Sequence, residues 1–308
     1  MNGESAFRRI AEAIETQRTR AATLGSAGVA RERAALAFEE VLASCTLAGV
    51  RLDRRELAAL IERGLALGGR PFREYAIALG YASASRFVAA IEPARGRDLI
   101  KSGEIVELHA LATRYDEGGA PGSWRVTTAP ALRSGVVPPP FWLVPREIAA
   151  FTRRFGVKPD SNEAPVLFVA RAHEAFTRIH PFDTGNGRVA RLLANLMLRR
   201  LGLPPLIIRP PDAARYRKAL FRADSGDIWP LATAIGRSIL ASLTRLEAAA
   251  APGDLRPLSA FARGAGRDVL YKAIARDRLR AVRRDRALLT TRRWVDEYRR
   301  STGAAVPD

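Results

Sequence analysis

The chain is poor in several residue types, and each scarcity excludes something. One cysteine, Cys45, stands in 308 residues. No intrachain disulfide framework is therefore available, and a reducing cytoplasm suits the chain. No uncharged apolar run reaches the roughly 18 residues of a membrane span; even the stretch from Trp229 to Leu243 is broken by Arg237. The segment from Met1 to Thr23 is charged and amphipathic and lacks the apolar region of a secretory signal. Lysine is scarce too: four lysines stand beside 46 arginines, within a formal net charge of +18. An arginine skew of that kind follows genome base composition as readily as it follows a ligand. The location of the charge, rather than its total, therefore bears on nucleic-acid binding. What is plentiful is apolar: 47% of the residues, enough for a buried core and two or three compact units.

The informative stretch is His180-Pro181-Phe182-Asp183-Thr184-Gly185-Asn186-Gly187-Arg188-Val189-Ala190-Arg191. Two glycines bracket an amide and let backbone N–H groups turn inward as an anion cradle. Val189, Leu192, Leu193, Leu196 and Met197 then recur on one helical face. A helix N-terminus facing a glycine-rich loop is a phosphate site. Arg188 and Arg191, three residues apart, fork phosphate oxygens. His180 places a titratable base one loop away. A lone histidine or a lone glycine turn would carry little; their joint occurrence in this order carries the reading.

This run resembles the signature of the Fic family, H-P-F-x-[DE]-G-N-[GK]-R-x-x-R. The helix that follows, closing at Gly202 and Pro204-Pro205, is also similar to that family. The family's characterised members are mostly protein adenylyltransferases, which move AMP from ATP to a hydroxyl side chain of a target protein. The resemblance implies that His180 is the general base. It implies that amides around Gly185, Asn186 and Gly187 hold the α-phosphate, that Arg188 and Arg191 hold the outer phosphates, and that Phe182 anchors the core. Gly187, where a lysine marks the Doc-type kinase branch, resembles the AMP-transfer branch. Tyr216 is placed either near the nucleotide or in the packing, and His109 and His173 read as packing residues.

Two positions depart from the family pattern. Its acidic Mg²⁺ ligand precedes the first glycine, where this chain has Thr184; a hydroxyl is a weak ligand for a cation that prefers carboxylate and phosphate oxygens. Asp183, one residue earlier, is the alternative ligand, so the metal assignment stays between Asp183 and Thr184. Upstream, Ser44-Cys45-Thr46-Leu47-Ala48-Gly49 resembles the family's autoinhibitory motif, [ST]-x-x-x-E-[GN], with Ala48 in place of the glutamate. Six residues alone would read as an ordinary interhelical loop. Their place before a capping box, Asp53 to Glu56, and before the stripe Leu57, Leu60, Ile61 and Leu65 supports the degenerate motif.

Along the chain, helices are expected at 5–24, 28–45 and 53–66, two more within Phe72 to Ile91, then at Leu99 to Thr113, 145–155, 161–178, Ala213 to Arg222 and Ile228 to Ala248. Trp124 to Pro140 has short β-like pieces; by the resemblance it is a β-hairpin flap that aligns an extended target segment by strand pairing. Ala249-Ala250-Ala251-Pro252-Gly253 reads as a linker.

Residues 251–308 then carry 14 basic and 7 acidic side chains, so excess charge does concentrate there. A short helix from Leu258 to Arg263 is expected, then a second, Asp268 to Arg276, capped by Asp268. A hairpin over Leu279 to Leu289 follows, and a last helix capped by Thr290-Thr291. This tail resembles the winged helix-turn-helix modules of MerR-like and excisionase-like proteins. The resemblance puts the second helix in the DNA major groove, with Arg267 and Lys272 on bases or phosphates and Arg280, Arg283, Arg284 and Arg286 on backbone phosphates. A solvated basic cap is the competing view.

The expectation is thus a mainly α protein: an N-terminal helical region with the degenerate motif at 1–98, a Fic helical core with a small hairpin flap at 99–248, a linker at 249–256 and a winged helix-turn-helix at 257–302. The expected activity is adenylylation of a target protein with ATP and Mg²⁺. The alternative is a catalytically weak or inactive DNA-binding regulator. Expected partners are nucleotide, a target protein and DNA, with no membrane; a homo-oligomer is left open.

Overall fold

Apolar residues at helical spacing, punctuated by glycine and proline, make the chain mainly helical. The computed structural model describes residues 3–92, 96–117, 120–160, 162–284 and 287–302. In order, the helices are α1 (Gly3–Ala22), α2 (Ala27–Leu47), α3 (Arg54–Arg63), α4 (Phe72–Ala90), α5 (Ser102–Ala112), α6 (Val144–Phe155), α7 (Pro165–Ile179), α8 (Asn186–Arg200), α9 (Ala213–Asp224), α10 (Trp229–Ala250), α11 (Gly264–Ala275) and α12 (Arg292–Thr302). The strands are β1 (Arg256–Pro257), β2 (Val282–Arg284) and β3 (Ala287–Thr290). No helix is long and apolar enough to cross a membrane among the described residues. The chain divides into two compact units, one of Met1–Ala11 and Ala35–Ile239, the other of Glu12–Ala34 and Leu240–Asp308.

In the first unit α8 is the central element. Val189, Leu192 and Leu196 are fully buried, and the helix packs on α4, α5 and α7. The expected capping box forms at α3: the Glu56 N–H donates to Asp53 Oδ1, and the Asp53 N–H donates to Glu56 Oε2, both at 2.8 Å. The stretch from Phe72 to Ile91 is one helix rather than two. Gly80 lies inside it because a Cβ there would stand 2.7 Å from the Ala112 carbonyl oxygen. The glycine serves the close approach of α4 to α5, not a break.

The expected flap hairpin is corrected. Residues 124–140 hold no strand, and their regular feature is a tight turn in which the Leu132 N–H donates to the Val136 carbonyl at 2.8 Å. Pro130, Pro138, Pro139 and Pro140 remove the donors that a ladder needs.

In the second unit β1, β3 and β2 form an antiparallel sheet in that order, with Val282 opposite Leu289. Leu258, Leu270, Leu279, Val282, Trp294 and Val295 build its core, which also takes in Ala248 of α10. The last helix is capped as expected, the Trp294 N–H donating to Thr291 Oγ1 at 3.2 Å. Two tail expectations are corrected. Leu258 to Arg263 yields only a 3-10 turn, Leu258–Ala260, because Pro257 and Gly264 leave too little chain for a helix. Helix α11 starts at Gly264 with Arg263 at its N-cap, so Asp268 lies inside the helix. Ala249 and Ala250 extend α10, as alanine's helix propensity favours, and Pro252 ends the run.

Candidate active site

His180 terminates α7 in the left-handed region, φ 48° and ψ 58°, with its N–H donating to the Phe176 carbonyl. A non-glycine residue there is strained and persists only where neighbours hold it. Arg125 is the main holder. Its Nε donates to the His180 carbonyl at 2.8 Å, Nη1 to the Thr127 carbonyl at 2.9 Å, and Nη2 to the Pro139 carbonyl. Its own N–H donates to the Pro181 carbonyl at 2.9 Å. One buried guanidinium thus fastens the 124–140 segment to the backbone of His180. Burial lowers the pKa of Arg125, partly offset by the charge of Asp183. No spacing or motif in the sequence marks Arg125.

The loop after His180 is stapled twice. Phe182 is fully buried between the rings of His109, centroids 3.6 Å apart, and Trp124, 5.0 Å apart. The Asn186 side chain accepts from the Phe182 N–H at 3.0 Å and donates to the Phe182 carbonyl at 2.6 Å. Asn186 therefore shapes the loop with its side chain. The first-turn amides of Asn186, Gly187 and Arg188 have no intrahelical acceptor and carry the positive end of the α8 dipole. Gly185 is required: its φ is +77°, and a Cβ there would stand 2.7 Å from Thr113 Cγ2.

The two arginines are buried at the mouth of this turn. Arg191 Nη2 donates to the Ser44 carbonyl at 3.1 Å and its Nε to Ser44 Oγ. The end of α2 therefore sits beside the signature arginine, and Ala48 joins Gly185, Gly187, Arg188 and Arg191 in lining one cavity of about 400 Å³. A second, mainly apolar cavity of about 510 Å³ lies against His180, Asn186 and Gly187, walled by Leu132, Leu220 and Phe221. Gly187 lines both cavities, and His180 lines the apolar one.

Burial lowers the pKa of His180, with a hydrogen bond to the Thr177 backbone partly opposing it, so the neutral, proton-accepting imidazole is favoured. His109 and His173 are pushed down to about 4, chiefly by burial. Their partners define single neutral tautomers. His109 Nε2 faces the Thr184 carbonyl while Nδ1 accepts from the Gly122 N–H at 3.0 Å. His173 Nδ1 faces the Ala190 carbonyl at 3.1 Å while Nε2 faces the Tyr216 hydroxyl at 2.5 Å. Tyr216 thereby stands in the packing. Both histidines hold the loop and α8 in place.

The donor set does not suit a loop-bound metal. Thr184, a lining residue of the charged cavity, carries only a neutral hydroxyl. Asp183 is exposed and accepts from Thr127 Oγ1 at 2.8 Å. No group of three or more metal-binding side chains assembles among the described residues.

The fold and this site define a helical domain in which a strained histidine abuts a helix N-terminus flanked by two buried arginines. Residues 99–198 match the model of the Fic/DOC family. The chain is 30% identical over 200 residues to a protein adenylyltransferase Fic of Nematostella vectensis, covering 65% of this chain and 46% of that protein. It spans less than half the length of such curated relatives. Among solved structures it is similar to Fic-1 from C. elegans, with a TM-score of 0.72 and 25% identity over 81% of this chain and 74% of that one. A Fic family protein from Desulfovibrio desulfuricans shares the fold, with a TM-score of 0.58 and 20% identity over 97% of this chain and 84% of that one.

In the tail, Arg267 and Lys272 on α11 and Arg283 and Arg284 on β2 are exposed. Arg280 is instead committed within the unit: it pairs with Glu247 at 2.6 Å and with Glu297, and it lies over the Trp294 ring. Arg286 lies outside the described residues.

Proposed function

We propose that this chain transfers AMP from ATP to a hydroxyl side chain of a target protein. The observation that carries the reading is the placement of His180, the α8 N-terminus, Arg188 and Arg191 around adjoining cavities; the names of its relatives support it. Neutral His180 takes the proton of the target hydroxyl, and the hydroxyl oxygen bonds to the α-phosphorus. The α–β phosphoanhydride P–O bond then breaks, and pyrophosphate leaves. The first-turn amides of α8 hold the charge that grows on the α-phosphate oxygens, and the arginines bind the outer phosphates. Mg²⁺ is the expected companion of ATP, and the cytoplasm, on the scarcity of cysteine, is the proposed place of work. Purified chain given ATP labelled at the α-phosphate should label itself or a target, and His180→Ala should stop the labelling while keeping ATP affinity. Equal labelling by His180→Ala would overturn the role of His180.

A second reading rests on a separate observation, the exposed Arg267, Lys272, Arg283 and Arg284 of the second unit. In it the tail is a winged helix-turn-helix, α11 lies in the major groove, and the Fic domain binds nucleotide with little turnover. Gel-shift assays across a salt series test it. Retention that falls steeply with salt supports DNA binding, and absence of any retention rejects it.

A further inference from the structure

Arg188 already holds an acid. Its Nη1 donates to Asp116 Oδ1 at 3.1 Å and its Nη2 to Asp116 Oδ2, while Nη1 also donates to the Ala112 carbonyl at 2.7 Å. The pair is largely withdrawn from water, with side-chain exposures of 8% for Arg188 and 12% for Asp116. Asp116 lines the same charged cavity as Gly187 and Arg191. Arg191 is held differently, by the neutral hydroxyl and carbonyl of Ser44. The two arginines therefore offer an incoming anion unequal charge: one is compensated by a carboxylate in bidentate contact, the other is held by neutral oxygens.

We propose that Asp116 is a specificity-determining residue of this cradle. Its carboxylate competes with the outer phosphates of a nucleotide for Arg188, and so sets how strongly the site prefers long, highly charged phosphate tails. A bidentate phosphate contact needs the same two nitrogens that the carboxylate occupies. A phosphate that reaches Arg188 must displace Asp116 or stand beside a like charge at close range, and like charges juxtaposed in a poorly hydrated site repel strongly. The opposition grows with the number of phosphates that extend past the α8 N-terminus. A monophosphate seated on the α8 amides does not need Arg188. The inference rests on the nucleotide reading above.

The test is calorimetric binding of AMP, ADP and ATP, in chelator without divalent cation, to the full chain and to Asp116→Asn. The amide keeps the shape and removes the charge. The expected result is about tenfold tighter ATP binding, the scale of one pK unit of charge interaction, a smaller gain for ADP and no gain for AMP. Asp116→Ser should order the three nucleotides the same way, and it keeps the proposal testable if the asparagine variant fails to fold. Unchanged ATP affinity, or the same gain for all three nucleotides, would overturn the proposal. Weaker ATP binding by both variants would make Asp116 a support of Arg188 rather than its competitor, and would also overturn it. If nucleotides bind yet Asp116 does not rank them, the inference alone fails; if no form binds any nucleotide, the functional reading fails with it.

Discussion

His180 makes the sharpest claim at the scale of single residues. Its pKa is lowered by burial, so the basic form persists to lower pH than in a free histidine. Transfer should rise with pH and level off with a midpoint below the ordinary histidine value of about 6.5; a rate–pH profile under saturating ATP checks this. Loss of the base should cost about 10²–10⁴-fold. Thr184 concerns the cation. Thr184→Asp or Thr184→Glu should raise metal-dependent transfer, because each puts a carboxylate on a residue that lines the charged cavity and now carries a neutral hydroxyl. Activity titrated against Mg²⁺ measures it, and no gain over a robust wild type would mean that another group already serves. Gly185→Ala should disable the loop. It imposes a left-handed conformation costing about 1–2 kcal/mol, and its methyl would stand 2.7 Å from Thr113 Cγ2; a lowered melting temperature together with lost nucleotide affinity is the expected pair of readouts.

At the scale of elements, the end of α2 is placed to act on the cradle. Ser44 holds Arg191, and Ala48 lines the same charged cavity as Arg188 and Arg191. Ala48→Glu should therefore bring a carboxylate to Arg191 and weaken ATP binding, read by calorimetry; equal affinities would mean that residue 48 does not compete for that guanidinium. The same contact marks the limit of what the chain order discloses. The capping box of α3 and the apolar face of α8 are local patterns and were legible. So was the His180-to-Arg191 run, which needs only a dozen consecutive residues. Ser44 meets Arg191 across 147 positions, Asp116 meets Arg188 across 72, and Arg125 meets His180 across 55. Side chains paired across such separations leave no periodic trace. The 124–140 segment misled for another reason: its β-prone residues suggest strands, but its prolines withhold the donors. Gly80 resembles a helix break, yet it answers to a neighbouring helix that local sequence does not reveal.

For the whole molecule, three groups with large shifts, His109, His173 and Glu40, bear on stability in acid. His109 and His173 have folded pKa values of about 4, against about 6.5 unfolded. The unfolded chain binds more protons between those values, so stability falls as pH drops from about 6.5 toward 4. Glu40 opposes this. It is buried against Tyr81, Ser85 and Asn195, and burial raises its pKa to about 7. Its protonated form in the fold contributes stability that is lost as pH rises through 7. Glu40→Gln should therefore steepen the fall in melting temperature between pH 7 and pH 5. In the second unit, replacing Arg283 and Arg284 together should weaken any DNA binding and flatten its salt dependence without changing sequence preference. Lys272 on α11 should alter preference instead; gel shifts on specific and scrambled duplexes separate the two effects.

Cys45 has a practical consequence. It is the chain's one thiol, 1% exposed, with its pKa pushed up to about 12 by burial. It lies next to Ser44, and burial should keep it inert to alkylating reagents in the folded chain. Modification requires the end of α2 to come away from its packing, so the rate of thiol labelling counts openings of that helix against time. A nucleotide that clamps the adjoining cavity should slow the count. The native sequence thus supplies a stopwatch for its own breathing, with no dye or tag engineered in.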